Sequence, residues 1–424
     1  MEEYRNCIEG IFEQTKLSDI DNVRKLLEIL GNPQDSLKFI HVAGTNGKGS
    51  VCSYLSNILI EAGYKTGMFT SPGIESVNDR FRIDNIRIDD DELKELALEV
   101  KAYADRIGGN FCEFEMMTCI GFLFFSRHSC DIVVLETGIG GKSDVTNIIK
   151  DKELSVITSI GFDHMELLGN TLEEIAKEKA GIIAENSFVV CGDIPEEAFN
   201  VIEKKALEKS SKLHRVNTND INNVGLSNRE MTFDYKAYKN IKTKLIGIHQ
   251  TINAATAIET CEILKKKGYS IDLKNIFQGI YSAVWEGRME IISENPLIIL
   301  DGAHNIEGAE MLKKNIDCFF SERRRIFVMG MLKQKDYENV VKTLISGAKY
   351  AIAVPVDSSK MCSGEEMLSI MKECCQNSAY NDTIYSGLAQ AVEISDINDI
   401  ICVCGSLYLV NSTRQYFKAG EKID

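Results

Sequence analysis

Apolar positions fall along this chain in two recurring patterns. Short unbroken runs of bulky or β-branched residues, such as FIHVA, YKTGMF, DIVVLE and LSVITS, read as strands buried on both faces. The stretches between them have helical spacing. In SDIDNVRKLLEILGNP the apolar positions Ile20, Val23, Leu26, Leu27 and Leu30 recur every three or four residues, and Gly31 followed by Pro33 ends the helix. SVCSYLSNILIEAG predicts a second helix stopped at Gly63. DDDELKELALEVKAYADRI predicts an amphipathic helix with acidic residues at its start, where the helix dipole favours them. NFCEFEMMTCIGFLFF is so apolar that most of its helix must be core. TLEEIAKEKAGII opens with Thr171 and Glu174 in the spacing of a capping box. From residue 188 to about 247 the pattern gives a strand, a polar helix and short alternating strands such as MTFDY, and IGIHQTINAATAIETCEIL then predicts a helix rich in small residues. Apolar runs return in NPLIILD, RIFVMG, YAIAVPVD and DIICVCG with helical patterns between them, the signature of parallel strands joined by crossover helices.

The alternation predicts an α/β fold. At 424 residues the chain is too long for one ordinary core, and a prior of about 150 residues per domain suggests two unequal domains. A formal net charge of −15 argues against nucleic acid or an anionic membrane as partner. The two short basic runs, residues 265–267 and 323–325, read as solvated edges, one closing a helix before Gly268 and the other leading into RIFVMG. The start, MEEYRNCIEG, is polar and lacks a signal core, and the longest apolar-rich run, residues 111–125, is shorter than a membrane span and carries Glu113 and Glu115. Thirteen scattered cysteines without a CxxC pair indicate neither a disulfide framework nor a zinc site. The expectation is a soluble cytoplasmic protein with reduced, mostly buried cysteines.

Four of the predicted strands run out into residues that carry chemistry. FIHVA is followed by GTNGKGS and a helix, a context in which glycines let backbone N–H groups converge on a phosphate and Lys48 adds a point charge. The spacing differs from the common Walker loop: two residues separate Gly44 from Gly47, and Gly49 follows the lysine where a metal-binding Ser or Thr is usual. Any metal must therefore be held elsewhere. DIVVLE ends in Glu136, a carboxylate at the end of a buried strand that calls for a cation. Ser71 lies just past YKTGMF, and Asp163 and His164 lie past LSVITS. Open parallel sheets bind ligands outside the carboxyl ends of their strands, so these residues are expected to converge. Oxygen ligands from Ser71 and Glu136 suit Mg²⁺, while the nitrogen of His164 would also admit Mn²⁺.

HVA followed by GTNGKGS resembles the phosphate loop of folylpolyglutamate synthases and dihydrofolate synthases, members of the Mur ligase superfamily. Further stretches between about residues 26 and 410 carry the likeness. LLEILGNPQ is similar to the family's approach to the loop. TSPG resembles TSPH, with Gly73 in place of histidine, and VNDRFRID resembles the NERI segment, with Asp79 for glutamate and Phe81 for isoleucine. Phe114, Glu115 and Thr118 match FE-x-x-T. LETGIGGKSDVTN matches LE-x-G-x-GG-R-x-D-x-TN, with Lys142 replacing arginine and Asp144 retained. TSIGFDH, EKAGII, HQ-x-x-NA with Asn253, W-x-GR-x-E with Trp285, Gly287 and Arg288, DGAHN with Asp301 and His304, and GSLYLV complete the set.

The resemblance implies Mur ligase architecture: an α/β, P-loop-type parallel-sheet ATPase domain over residues 1–290, then a smaller Rossmann-like α/β domain over 291–424. It implies an ATP-dependent ligase that phosphorylates the carboxylate of a folate or of dihydropteroate and joins the acyl group to L-glutamate. Gly44, Thr45, Asn46, Gly47, Lys48, Gly49 and Ser50 would cradle the phosphates, with Asn253 and Asp301 holding the nucleotide. Two Mg²⁺ ions would be bound through Ser71, Glu136 and His164, and a carbamylated Lys179 would support the second. Lys48 and Arg288 would stabilise the transferring phosphate, and His304 would position the phosphate or the incoming glutamate. On the acceptor side the likeness offers Thr118, Asp144 and Arg80, with Arg82 as a further candidate. Asp144 could equally bind backbone amides in its own turn, and the two arginines could be surface charges. The chain is expected to work as a monomer. A cell-wall-type amide ligase and a nucleotide-binding regulator without chemistry are the competing readings; LETGIGGKSDVTN and GSLYLV tell against the first, and the retained Glu136, His164, Lys179 and Asp301 against the second.

Overall fold

The computed structural model describes residues 19–333, 336–358 and 360–418, so the polar start of the chain lies outside the described residues. In chain order, α1 (Ile20–Ile29) leads into β1 (Phe39–Ala43), α2 (Lys48–Glu61), β2 (Thr66–Phe69), β3 (Phe81–Ile83) and β4 (Ile86–Arg87). There follow α3 (Asp90–Ile107), α4 (Glu113–Arg127), β5 (Ile132–Glu136), β6 (Lys152–Ile157), the short α5 (Met165–Leu168), α6 (Leu172–Lys179), β7 (Phe188–Cys191), α7 (Glu196–Glu208) and β8 (Lys212–Arg215). These strands form one sheet in the order β4-β3-β2-β5-β1-β6-β7-β8. It is parallel from β2 to β8, with β3 and β4 added antiparallel at one edge.

The continuous apolar runs become strands because both faces are covered. β1, β2 and β5 are buried at every position. On one side Phe39, Phe69, Val133 and Leu135 pack with α1, α3 and α4; a second cluster joins Ile157, Val189 and Cys191 to α6 and α7. α4 is buried from Glu115 to Phe125, as its apolar content predicts. The expected capping box is present, with the Thr171 hydroxyl accepting from Glu174 N–H and the Glu174 carboxylate accepting in return.

After β8 the chain forms a separate three-stranded sheet, order β11-β10-β9, from β9 (Ile221–Ser227), β10 (Glu230–Tyr235) and β11 (Tyr238–Thr243). The alternation in MTFDY is real: Met231, Phe233 and Tyr235 are buried and the residues between them are partly exposed. Then come α8 (Ile248–Lys266) and α9 (Leu273–Ser282). α2 packs against β1, β2 and β5 on one side and α9 on another, which is why residues 49–59 are all buried and the helix has no polar face.

The remaining elements are β12 (Glu290–Glu294), β13 (Leu297–Asp301), α10 (Ile306–Phe319), β14 (Arg324–Met329), α11 (Tyr337–Ile345), β15 (Tyr350–Ala353), α12 (Gly364–Cys374), β16 (Ser378–Tyr380), α13 (Ile384–Glu393), β17 (Asp399–Cys404) and α14 (Leu407–Lys418). Their sheet has the order β12-β13-β17-β14-β15-β16, with β12 antiparallel to β13 and the other pairs parallel. Alternate residues of one strand enter different cores: Phe327 and Met329 one, Ile326 and Val328 the other. This is a doubly wound layer with helices on both faces.

The described residues divide into two compact units. The first runs to Asn223 and includes Phe233–Lys242 and Thr251–Ala283; the second takes Val224–Thr232, Thr243–Gln250 and the chain from Val284. The sequence places the boundary at residues 290/291, where β12 begins. The two earlier segments of the second unit have no local signature that would assign them to it.

Within the first unit α9 and α2 approach closely. A Cβ on Gly279 would stand 2.4 Å from the Cα of Ile58 and 2.5 Å from its N. Backbone cannot yield as a side chain can, so Gly279→Ala is expected to destabilise the fold by about 1–3 kcal/mol. Denaturant unfolding checks this; a midpoint equal to the parent's would mean the two helices separate freely.

Candidate active site at the carboxyl ends of the parallel strands

β1 lies between β5 and β6, so the chain's connections diverge on its two sides, the arrangement that opens a crevice at the strand ends. Into that crevice run the glycine loop after β1, Glu136 at the end of β5, Ser71 beyond β2 and the segment 158–164 beyond β6. Two glycines of the loop have different physical reasons. Gly47, the N-cap of α2, has φ +84°, a left-handed conformation that suits glycine, and brings no side chain to cap the helix start. Gly44 is needed for space, because a Cβ there would lie 1.9 Å from the Thr158 hydroxyl oxygen. The first-turn N–H groups of α2 thus remain a natural anion site.

The loop is held by the strand next door. Thr45 N–H donates to the Ser159 carbonyl at 2.9 Å, and Asn46 N–H to the Ser159 hydroxyl at 2.8 Å. The Thr158 and Ser159 hydroxyls donate to the Asn46 carbonyl at 2.7 and 2.9 Å. The Thr45 hydroxyl donates to the Gly161 carbonyl at 3.1 Å and accepts from Gly161 N–H at 3.0 Å. The TSIGFDH stretch, a family likeness in the sequence, does not by itself reveal this clamp. The available signal was a pair of hydroxyl residues directly after the strand that neighbours β1.

Three charged groups meet at the loop. Lys48 Nζ donates to the carbonyls of Gly44 and Thr45, each at 3.2 Å, and lies 3.9 Å from Glu136 Oε1. Glu136 pairs in register with Val42, which brings its buried carboxylate beside the loop, where it accepts from Ser71 N–H at 3.3 Å. Lys179, the last residue of α6, is only 3% exposed, and its Nζ donates to the Gly44 carbonyl at 2.8 Å. Burial, reinforced by the charge of Lys48, pulls the Lys179 amine down to about 7, against the opposing pull of Asp163, Asp144 and Glu178. The GIGGKSDVTN turn and the end of α6 press together to bury this lysine. A Cβ on Gly141 would be 2.8 and 2.9 Å from the carbonyl oxygens of Glu178 and Lys179, and one on Gly181 would be 2.3 Å from the Cα of Lys142. His164, the N-cap of α5, has φ +50°, is exposed, and has Asp163 at 3.9 Å.

The acceptor-side candidates are engaged within the protein. Asp144 is buried and caps the turn that follows it: one carboxylate oxygen accepts from Thr146 N–H at 2.9 Å and from the Thr146 hydroxyl, the other from Ile139 N–H at 3.0 Å. Of its two sequence-level roles, this is the turn-holding one. Burial raises its carboxyl, opposed by those hydrogen bonds. The Thr118 hydroxyl donates to the Phe114 carbonyl one turn back at 2.8 Å, and Arg80 pairs with Glu113 at 3.0 Å. Arg82, also buried, donates from Nε to the Asp79 carbonyl at 3.4 Å.

In the second unit the residues after β13 form their own group. The Asp301 carboxylate accepts from Met289 N–H at 2.9 Å and Ala303 N–H at 2.8 Å; burial raises its carboxyl, with the Arg288 charge opposing. Arg288 lies so close that a Cβ on Gly302 would be 2.1 Å from its Nη1. His304 Nδ1 is 2.7 Å from the Gly302 carbonyl, which can only accept, so Nδ1 carries the proton. His249, passed over in favour of Asn253 in HQTINA, belongs to the same unit. The Asn315 amide oxygen accepts from Ile248 N–H at 2.8 Å, which turns its NH₂ toward His249 Nδ1 at 3.1 Å. Burial and the Arg288 charge push the His249 imidazole down to about 4, so it is neutral with its proton on Nε2. In the first unit Asn253 meets the glycine loop: its amide oxygen would be 2.6 Å from a Cβ on Gly47.

Residues 42–261 match the Mur ligase middle domain, and residues 287–407 match the glutamate ligase domain of Mur ligases. The dihydrofolate synthase/folylpolyglutamate synthase of Bacillus subtilis is 34% identical over 98% of this chain and 98% of its own length. The folylpolyglutamate synthase of Lacticaseibacillus casei is 32% identical over 96% of each chain. The solved structure of Escherichia coli FolC in complex with DHPP and ADP superposes with a TM-score of 0.87 at 28% identity, covering 99% of this chain and 98% of that one. With a glycine loop tied to the TSIG segment, a carboxylate in register beside it and both Mur ligase domains matched over most of its length, the chain belongs to the folylpolyglutamate synthase/dihydrofolate synthase family of Mur ligases.

Proposed function

We propose that this enzyme joins L-glutamate to folates at the expense of ATP, using dihydropteroate as well as tetrahydrofolates as acceptor. The observation that carries the reading is the meeting of Lys48, Glu136 and Lys179 at the glycine loop. The names of the relatives support the acceptor class: the Bacillus subtilis relative carries both activities in its name, and the Escherichia coli structure was solved with DHPP and ADP. These residues fit phosphoryl transfer by positioning and electrostatics, with no covalent enzyme intermediate. The α2 N-terminus and Lys48 would bind the phosphates, and Asn253 and Asp301 would orient the nucleotide. The acceptor carboxylate would attack the γ-phosphorus and expel ADP; the amine of glutamate would then attack the acyl carbon and expel phosphate. Lys48 and Arg288 would balance charge on the transferring group, and His304 would orient the phosphate or glutamate. Arg80, Thr118 and Asp144 would line the acceptor side, in addition to their internal bonds.

While the imidazole would also admit Mn²⁺, a carboxylate and a hydroxyl are few protein oxygens, as suits Mg²⁺ sharing its sphere with phosphate and water. Glu136, Ser71 and His164 would hold it, with carbamylated Lys179 supporting a second ion. Bound Mg²⁺ would offset charge on the phosphates. No helix among the described residues is long and apolar enough to cross a membrane, and every described cysteine is unpaired. Unpaired thiols suit a reducing compartment.

Glutamate incorporation by the purified enzyme, with tetrahydrofolate and dihydropteroate as alternative acceptors, tests the function. Incorporation should require ATP, and Glu136→Gln, which keeps the size and removes the charge, should lower it by about two orders of magnitude or more while the fold survives. ATP turnover indifferent to acceptor would exclude a ligase, and no reaction with dihydropteroate would confine the enzyme to tetrahydrofolates.

The Lys179 amine generates a pH prediction. Its pKa in the fold, about 7, lies well below that of an unfolded lysine. Its burial therefore costs stability most below pH 7, and the cost is relieved as pH rises from 7 through the unfolded value. The neutral amine is also the form that adds CO₂. In enzyme stripped of CO₂, reactivation at fixed dissolved CO₂ should speed up with pH to about 7 and then level off. A rate still climbing at pH 9 would assign the reactive amine to an ordinary exposed lysine.

A further inference from the structure

The segment 70–80 leaves the sheet after β2 and returns to it at β3. Its neck is closed by the Phe69–Phe81 pairing and by Thr70 N–H donating to the Arg80 carbonyl at 3.1 Å. The outgoing limb carries Ser71, with its N–H on Glu136. The returning limb carries Asp79, which is 3% exposed and holds the loop from inside. One carboxylate oxygen accepts from the N–H groups of Ile74, Glu75 and Ser76 at 3.2, 2.7 and 3.2 Å. The other faces Arg87 Nε at 2.6 Å and Arg82 Nη2 at 3.9 Å. The Ser76 carbonyl accepts from Asp79 N–H at 3.2 Å, so the turn is tied in both directions.

Drawing residues 74–76 onto so short an acid brings the Ser76 carbonyl oxygen to 2.1 Å from the point where a Cβ on residue 73 would stand. Gly73 does not have a positive φ. The requirement for glycine is therefore this contact and not the backbone angle. We propose that Asp79 and Gly73 are coupled: the short Asp79 side chain pulls the turn in, the Ser76 carbonyl fills the space at 73, and only glycine fits. Asp79 is then a positioning residue for the limb that carries Ser71, and the loop presents backbone at residue 73. A glutamate at 79 would let the turn stand out and admit a side chain at 73. The catalytic consequence rests on the reading of Ser71 as part of the active site.

A double-mutant cycle of Gly73→His and Asp79→Glu tests the pair, read both as the unfolding midpoint of nucleotide-free enzyme and as kcat and KM for tetrahydrofolate at saturating ATP. Gly73→His alone should lower the midpoint and reduce kcat/KM about tenfold or more. The double variant should exceed the product of the single effects by on the order of tenfold. Should Gly73→His fail to fold, Gly73→Ala on both backgrounds completes the same cycle. Additive effects would overturn the coupling, and coupling seen in the midpoint with kcat and KM unmoved would overturn the positioning role. Asp79→Asn should also raise the Mg²⁺ concentration needed for half-maximal turnover. If Ser71→Ala leaves that requirement as in the parent while the cycle stays non-additive in kcat, the coupling stands and the ligand role of Ser71 fails.

Discussion

The carbonyl oxygen of Gly44 accepts hydrogen bonds from two ammonium groups, those of Lys48 and Lys179. Two like charges converging on one acceptor are unfavourable in a dry site, and the burial of one of them favours its neutral form. Lys179 is the buried partner and has the lowered pKa, while Lys48 faces Glu136. The active-site electrostatics follow from this division. Lys179 thereby becomes an amine that can be neutral near pH 7.

The division depends on backbone approaches that only glycine permits. Lys179 is buried because Gly141 and Gly181 let the turn after β5 lie directly on the end of α6. That turn is in turn held by Asp144, whose carboxylate gathers the amides of Ile139 and Thr146. Asp79 and Asp301 do the same in their own loops, each accepting from two or more backbone N–H groups. Three buried aspartates thus fix three loops at strand ends. A loop whose amides are satisfied by a buried acid loses its freedom to reorient, which suits chemistry that relies on prearranged charge.

Much of the fold was legible in the order of residues. The runs FIHVA and DIVVLE are buried strands, the alternation in MTFDY is a half-buried one, and Thr171 with Glu174 is a capping box. The glycine loop and the acid at the end of β5 were legible too, because each couples a local pattern to a local chemical need. Other parts of the site were not. TSIG clamps the glycine loop from more than a hundred residues away in sequence, and nothing in its own pattern reveals which backbone its hydroxyls will meet. His249 lies four residues before Asn253, but its tautomer depends on Asn315 and its lowered pKa on burial and then on Arg288.

The sequence by itself determined most of the buried strands and helices and the residues that the strand ends deliver, since hydrophobic periodicity and turn chemistry are properties of neighbours along the chain. Tertiary structure alone decided which polar groups hold the loops of the site together and what surrounds each of them. Lys179 could be a solvated helix charge until packing sets its surroundings, and only the fold shows which amides the Asp144 carboxylate meets. Desolvation and hydrogen-bond partnership are sums over atoms brought together from distant segments, and those atoms become neighbours only when the sheet has formed.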